Sequence, residues 1–252
     1  MRQLVFFLVL AIAIGINCTK QNMLDSSVEA AALASNSTTV PEGKIMVITC
    51  DTTFIDDTTL AREPVDTSKA VVFFGSSTIA QWNVAQSFPN HLVKKAGFGG
   101  RTWAGLYLLA DTIARLNPKQ VVIYSGDNDL IARRSVAQMT MDIQRLINRI
   151  WTLVPDVPVV FLYTKPSDTA FKILYADKIT TGTAALEYTN RNIANWGRQN
   201  HATKFVAIDT YTPFLLWNPK RLDTKYYQAD RLHLNQSMGY PVLNRLVTPA
   251  LK

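Results

Sequence analysis

Val71-Val72-Phe73-Phe74-Gly75-Ser76-Ser77-Thr78-Ile79 is the stretch from which the rest of the chain can be read. Four consecutive apolar residues, β-branched or aromatic and without alternation, mark a strand buried on both faces, as in a parallel sheet. A glycine and small hydroxyl residues end the run and open toward a helix. The same type of run returns at residues 121–124, 157–163 and 205–208, and a weaker strand is expected at 92–95.

Helical patterns separate these runs. Trp103, Leu106, Leu109, Ile113 and Leu116 fall on one face and end before Asn117-Pro118. Val136, Met139, Ile143, Leu146, Ile150 and Leu153 form a second stripe, closed by Pro155. Leu186, Ile193 and Trp196 mark a third helix, and Tyr240, Leu243 and Leu246 a short last one behind Asn235. Strand and helix alternate, which predicts a doubly wound α/β domain of about five strands with helices on both faces.

The dense apolar pattern begins near Val65 and runs to the end of the 252 residues, enough for one buried core and not two. Residues 65–252 are therefore expected to form the folded domain. Residues 19–43, rich in Ser, Thr, Asn and Ala, read as a spacer. Residues 44–50 read as an early strand at the domain's edge, so 19–64 together form a spacer and edge segment. Met1-Arg2-Gln3 followed by an apolar run over 4–16 fits a secretory signal better than a membrane span, which needs about 20 residues. Cys18 at the end of that run is the expected lipidation site of a lipoprotein signal spanning 1–18. Cleavage after Gly15 is the competing reading. Cys18 and Cys50 are the two cysteines, so Cys50 is a lone thiol if Cys18 is lipidated, and an 18–50 bridge is open otherwise.

The net charge of +7 comes from scattered basic residues, with pairs such as Lys94-Lys95 and Arg133-Arg134 and no run of five. A nucleic-acid binder concentrates such charge on one face, so no nucleic-acid partner is expected. The charge reads as a basic solvated surface, one that also favours acidic polysaccharide or anionic lipid. Contact with a membrane is expected only through the N-terminal lipid.

Four polar segments stand where chemistry is placed in open α/β sheets, beyond the carboxyl ends of strands or before the last helix. Ser77 follows the first strand, although a serine that merely caps a helix is common there. Gly97-Phe98-Gly99-Gly100 lets the backbone approach a ligand and point an amide at it, but lacks the third glycine of a dinucleotide fingerprint. In Gly126-Asp127-Asn128-Asp129, the Asn128 amide can donate to a developing oxyanion. A divalent cation held by Asp127 and Asp129 is the rival reading, disfavoured because hard-cation loops draw on more carboxylates. In Asp230-Arg231-Leu232-His233, the carboxylate can bond the ring Nδ1–H of His233 and leave Nε2 facing a nucleophile.

In this order the segments resemble the SGNH (GDSL-type) hydrolase superfamily over about residues 71–247. They are closest to the bacterial branch with a Gly-Ser-Ser opening followed by a tryptophan, here Trp82. Gly-Phe-Gly-Gly, Gly-Asp-Asn-Asp, Lys165-Pro166-Ser167 and the closing His233-Leu234-Asn235 are similar to that branch as well. Ser76 stands where the commonest opening has Asp, and Lys95-Ala96 where Asn-Arg is frequent.

The resemblance implies a flavodoxin-like three-layer sandwich and ester hydrolysis without metal or other cofactor. It implies Ser77 as nucleophile, His233 as base and Asp230 as its orienter. The backbone amides of Ser77 and Gly100 and the Asn128 side chain would form the oxyanion hole. The expected substrate is an acylated carbohydrate or lipid, with a small acyl group such as acetyl favoured because no apolar insertion forms a lid. A lipase or lysophospholipase is the alternative, and a non-catalytic binding protein on the same fold a third reading. Trp82, Arg101, Trp103 and Lys165 are candidate substrate contacts by proximity to the motifs.

Overall fold

Three apolar runs, Ala70–Gly75, Pro118–Tyr124 and Val159–Leu162, form the middle of one parallel sheet because each is covered on both sides, and two less buried strands, Val93–Gly97 and Phe205–Ile208, flank them. The computed structural model describes residues 69–174, 181–218 and 220–252, and the backbone of two short strands, β1 (Lys44–Ile45) and β2 (Ile55–Asp56). The chain divides into two compact units, Met1–Pro64 and Val65–Lys252. In the first, β1 and β2 pair antiparallel with Lys44 opposite Asp56. The expected signal segment with Cys18, Cys50 and the rest of the spacer lie outside the described residues. Of the strand expected over 44–50, Lys44–Ile45 is described.

The second unit runs β3 (Ala70–Gly75), α1 (Ser77–Gln81), α2 (Val84–Ser87), β4 (Val93–Gly97), α3 (Trp103–Tyr107), α4 (Asp111–Arg115) and β5 (Pro118–Tyr124). It continues through α5 (Asp127–Ile131), α6 (Val136–Leu153), β6 (Val159–Leu162), α7 (Asp168–Lys172), α8 (Gly182–His201) and β7 (Phe205–Ile208). A hairpin of β8 (Leu215–Trp217) and β9 (Lys220–Leu222) and the helix α9 (Gly239–Val247) complete it. The strand order is β4-β3-β5-β6-β7, all parallel. This is the flavodoxin-like order, in which the chain leaves β3 first to one side and then to the other.

Successive strand residues alternate between two apolar layers. Val72, Phe74, Val121, Ile123, Val159 and Phe161 face the layer containing Ile143, Leu146 and Ile150 of α6 and Ile193 of α8. Val71, Phe73, Val122, Tyr124, Val160 and Leu162 face the layer containing Ile79, Trp82, Tyr240 and Leu243. Both faces being dry explains why the strands read as unbroken apolar runs. β5 begins at Pro118, at the strand's first residue, where proline is tolerated in a sheet.

The single helix expected over 103–116 is two short ones. Leu109 N–H bonds Leu106 C=O at 3.0 Å and Ala110 N–H bonds Tyr107 C=O at 3.3 Å, so the chain winds with three-residue bonds between α3 and α4. Leu108 is left 80% exposed at that point. The spacing of three between Trp103, Leu106 and Leu109 is that tighter winding. No helix among the described residues is long and apolar enough to cross a membrane.

Candidate active site

Ser77 is the first residue of α1, directly beyond the carboxyl end of β3. Its N–H is one of the amides a helix start leaves without an intrahelical partner. β3 lies between β4 and β5, so the loop carrying Gly100 and the helix carrying Asn128 arrive on opposite sides of Ser77. This is the switch point at which open α/β sheets bind ligands.

Gly100 adopts φ +74, and nothing lies within 4 Å of where a side chain would begin. Its glycine is required by the turn and not by crowding. Among the described residues its N–H has no protein acceptor. Asn128 is half-buried; one N–H of its amide donates to Arg101 C=O at 3.1 Å, which Ser125 Oγ also bonds at 2.9 Å. The Arg101 carbonyl thereby fixes the amide, whose second N–H has no protein acceptor.

The segment after the hairpin brings His233 to Ser77 across 156 residues of sequence. His233 Nε2 lies 3.1 Å from Ser77 Oγ, and Nδ1 lies 2.6 Å from Asp230 Oδ2. Asp230 Oδ1 accepts the backbone N–H groups of Leu232 at 2.9 Å and His233 at 3.0 Å. One carboxylate thus closes its own turn and orients the ring. Burial opposes ionisation of Asp230, but the ring and the two backbone donors outweigh it and hold its carboxyl below the usual range. With Nδ1–H committed to Asp230, Nε2 is the acceptor for the Ser77 hydroxyl. An oxygen so placed can lose its proton to the ring as it attacks carbon.

Three of the residues expected to touch substrate do not reach solvent. Trp82 is fully buried, its ring T-shaped against Phe73 and its Nε1–H donating to Asn244 Oδ1 at 2.8 Å. Trp103 is fully buried against Phe161, and its backbone N–H bonds the Asp129 carboxylate at 3.1 Å. Lys165 is 1% exposed. Its ammonium lies between Asp127 Oδ1 at 3.2 Å and the Leu232 carbonyl at 2.6 Å. Aromatic and basic residues near these motifs are buried because they tie the loops to the sheet. Arg101 alone of the four candidates is partly exposed.

The cation reading of Gly126-Asp127-Asn128-Asp129 loses its ligands in the same way. Asp127 is held by Lys165 and by Tyr124 O–H at 2.9 Å, and Asp129 by the Trp103 N–H. Burial pushes the Asp129 carboxyl up to about 7, against the hydrogen bond from Trp103 that lowers it. Among the described residues no group of three His, Cys, Asp or Glu is placed to hold a metal.

The sequence reading missed the support of the His233 segment. Tyr227 O–H bonds Pro166 C=O at 2.6 Å, and Asp168 N–H bonds Arg231 C=O at 3.1 Å. Asn235 Oδ1 accepts Met238 N–H at 2.8 Å, while its Nδ2 donates to Lys225 C=O at 2.7 Å. Lys165-Pro166-Ser167 and Asn235 of the closing His-Leu-Asn belong to this scaffold; in the sequence they stand out as family motifs, with Lys165 a candidate substrate contact, and their packing is not visible there.

A hydroxyl, an imidazole and a carboxylate in one hydrogen-bonded line, at the switch point of a flavodoxin-like sheet, define the class as carboxylic ester hydrolase. Residues 73–238 match the model of the GDSL-like lipase/acylhydrolase family, and the chain belongs to that family. The fold is shared with a GDSL-like lipase from Bacteroides thetaiotaomicron (20% identity, 74% of this chain and 89% of that one, TM-score 0.59). It is shared too with the lipase/acylhydrolase from Enterococcus faecalis (21%, 73% and 95%, 0.56). A carbohydrate esterase family 3 protein from Talaromyces cellulolyticus is a third structural relative (15%, 73% and 96%, 0.57). No curated protein matches the chain in sequence.

Proposed function

We propose that the chain is an exported serine ester hydrolase that removes small acyl groups, such as acetyl, from a carbohydrate or similar ester. The line from Asp230 through His233 to Ser77 carries the reading. Ser77 Oγ attacks the ester carbonyl as its proton passes to His233 Nε2, and Asp230 stabilises the imidazolium that forms. The amides of Ser77 and Gly100 and the Asn128 side chain receive the oxyanion, each such donor worth about 3 kcal/mol of barrier. His233 returns the proton to the leaving alcohol, and the acyl group stays on Ser77. Water then repeats the sequence, with His233 taking its proton and Ser77 leaving as the hydroxyl, and frees the carboxylic acid.

The carbohydrate assignment draws support from a structural relative that is a carbohydrate esterase and from the basic surface. Export draws on the N-terminal apolar run ending in Cys18. Fluorophosphonate labelling and p-nitrophenyl acetate turnover in the native protein, both lost in Ser77→Ala, are the expected results. A folded native protein that neither labels nor turns over rejects the reading. Rates that rise from acetyl through butyryl to octanoyl esters move the assignment to a lipase. Palmitate incorporation lost in Cys18→Ala is the result expected of a lipoprotein, and a mature chain starting after Gly15 rejects lipidation.

A further inference from the structure

A second concavity opens at the same end of the sheet, beyond the carboxyl ends of β6 and β7. It holds about 250 Å³ and lies between α8 and the segment that follows β7. Tyr163 comes to it from the end of β6 and Asp209 from the end of β7, while Glu187 and Arg191 stand one turn apart on α8. Trp217, at the end of β8, is 58% exposed at its wall.

The groups lining it divide into those that build the wall and those left to a ligand. Glu187 Oε1 accepts Tyr211 O–H at 2.9 Å and pairs with Lys220, so it fixes the Tyr211 ring and the hairpin. Asp209 Oδ1 accepts the N–H groups of Tyr211 and Thr212, each at 2.9 Å, which sets the carboxylate and leaves Oδ2 with no protein donor. Among the described residues, the Tyr163 hydroxyl has no hydrogen-bond partner and the Arg191 guanidinium no carboxylate partner. Burial and the neighbouring Asp209 raise the Tyr163 pKa, which keeps that phenol a neutral O–H donor.

Glu187 and Arg191 share one wall on α8, Asp209 comes from the end of β7, and Lys220 is taken up by Glu187; with carboxylates and cations mixed, charge selects neither an anion nor a cation. What remains is the exposed indole of Trp217, over whose ring Lys220 Nζ lies 5.5 Å from the centre, beside a carboxylate oxygen, a phenol hydroxyl and a guanidinium that no protein group pairs among the described residues. A ring with one apolar face and hydroxyls around its edge satisfies all of these together, as a pyranose does. A purely apolar ligand would cover the half-buried Tyr163 hydroxyl and take water from the exposed Asp209 and Arg191 groups without pairing any of them, at a cost.

The distance to Ser77 gives the site its role. β6 and β7 are two and three strands from β3, which at the spacing of paired strands is about 10–14 Å. A sugar held there cannot carry the ester under attack. We infer that the cleft walled by Tyr163, Arg191, Asp209 and Trp217 binds a sugar unit remote from the scissile ester, so that the substrate is an oligo- or polysaccharide. This rests on the carbohydrate-ester reading of the Ser77 centre and extends it.

Binding is measured on Ser77→Ala protein, so that no turnover intervenes, by retardation in gels containing soluble polysaccharides, acetylated xylan and other neutral and acidic polymers among them. At least one polymer is expected to retard the protein. Adding Trp217→Ala is expected to weaken that retardation about fivefold or more, the loss a truncated contact aromatic brings. Tyr163→Phe, which removes only an O–H, is expected to weaken it less while leaving the fold intact. Retardation by no polymer, or retardation indifferent to both variants, overturns the inference. p-Nitrophenyl acetate reports the Ser77 centre separately: a protein that binds polymer through Trp217 but turns over no ester retains the sugar site and loses the hydrolase reading.

Discussion

Asp230 makes three hydrogen bonds with two oxygens, and the division of labour predicts what its removal does. Oδ1 holds the turn and Oδ2 the ring. Asp230→Asn can keep the turn through its carbonyl oxygen, but its NH2 group then meets Nδ1 and favours the tautomer with the proton on Nε2. Turnover of p-nitrophenyl acetate is expected to fall about a hundredfold or more, with the melting temperature little changed. A smaller loss would mean that His233 is oriented by the backbone alone. Asp129 has a different consequence. Its carboxyl titrates at about 7 in the folded chain, against 3.8 ordinarily. Between those values the folded state binds more protons than the unfolded one, so stability falls as pH rises. It is fully present below the ordinary pKa and lost once pH passes the folded one, by at most about 4 kcal/mol. Thermal melts from acid to mildly alkaline pH should show a decline in the native protein that Asp129→Asn flattens; parallel curves would remove Asp129 as its source. Asp230 contributes with the opposite sign, its part being present above the ordinary carboxylate pKa and lost in acid.

The segment from Asp230 to His233 has no regular structure of its own, and the ends of β5 and β6 hold it. Lys165, just beyond β6, carries a buried ammonium that reaches Asp127 on α5 and the Leu232 carbonyl next to His233. Lys165→Met leaves the Asp127 charge buried and unpaired, and about 3–5 kcal/mol of stability should go with it. Lys165→Met combined with Asp127→Asn should recover part of that loss, because the second change removes the stranded charge while Tyr124 keeps an acceptor. The kcat of the double variant should stay low at unchanged KM, since the Leu232 carbonyl still lacks its donor; native kcat would show that Lys165 serves stability alone. This support was not legible in the sequence. Lys165 and Asp127 are 38 residues apart, and a lysine beside a proline gives no sign of burial. Trp82 and Trp103 failed as substrate contacts for a related reason, because an aromatic near a motif reads alike whether it lines a cleft or fills the core. The central strands were legible because two dry faces force an unbroken apolar run, and the run 71–74 lies within one residue of both ends of Ala70–Gly75, every residue of which is buried. α5 and α7, five residues each, are too short to display a helical period. The Ser77, Asp230 and His233 positions were legible as motifs, whereas their convergence needs the strand order that sets β3 between β4 and β5.

Both apolar layers close within Val65–Lys252. The layer on one side of the sheet is built from Val72 through Phe205, and that on the other from Val71 through Val247. All five parallel strands, the three residues in line at Ser77 and the sugar-sized cleft lie inside the same unit. A unit that buries its own core on both faces of its own sheet has what folding requires. A protein comprising residues 65–252 should therefore fold without the first 64. Its melting temperature should match that of the longer chain within a few degrees, since a change of about 1 kcal/mol moves the midpoint of a domain this size by about 2–4 °C. Its kcat/KM for p-nitrophenyl acetate should match as well, because no group assigned to the reaction precedes Ser77. A shortened protein that melts much earlier would show that residues before Val65 complete the core. One that melts alike but loses turnover would place part of the reaction centre in the first unit, and the assignment of Ser77, Gly100, Asn128, Asp230 and His233 as the reacting set would have to be enlarged.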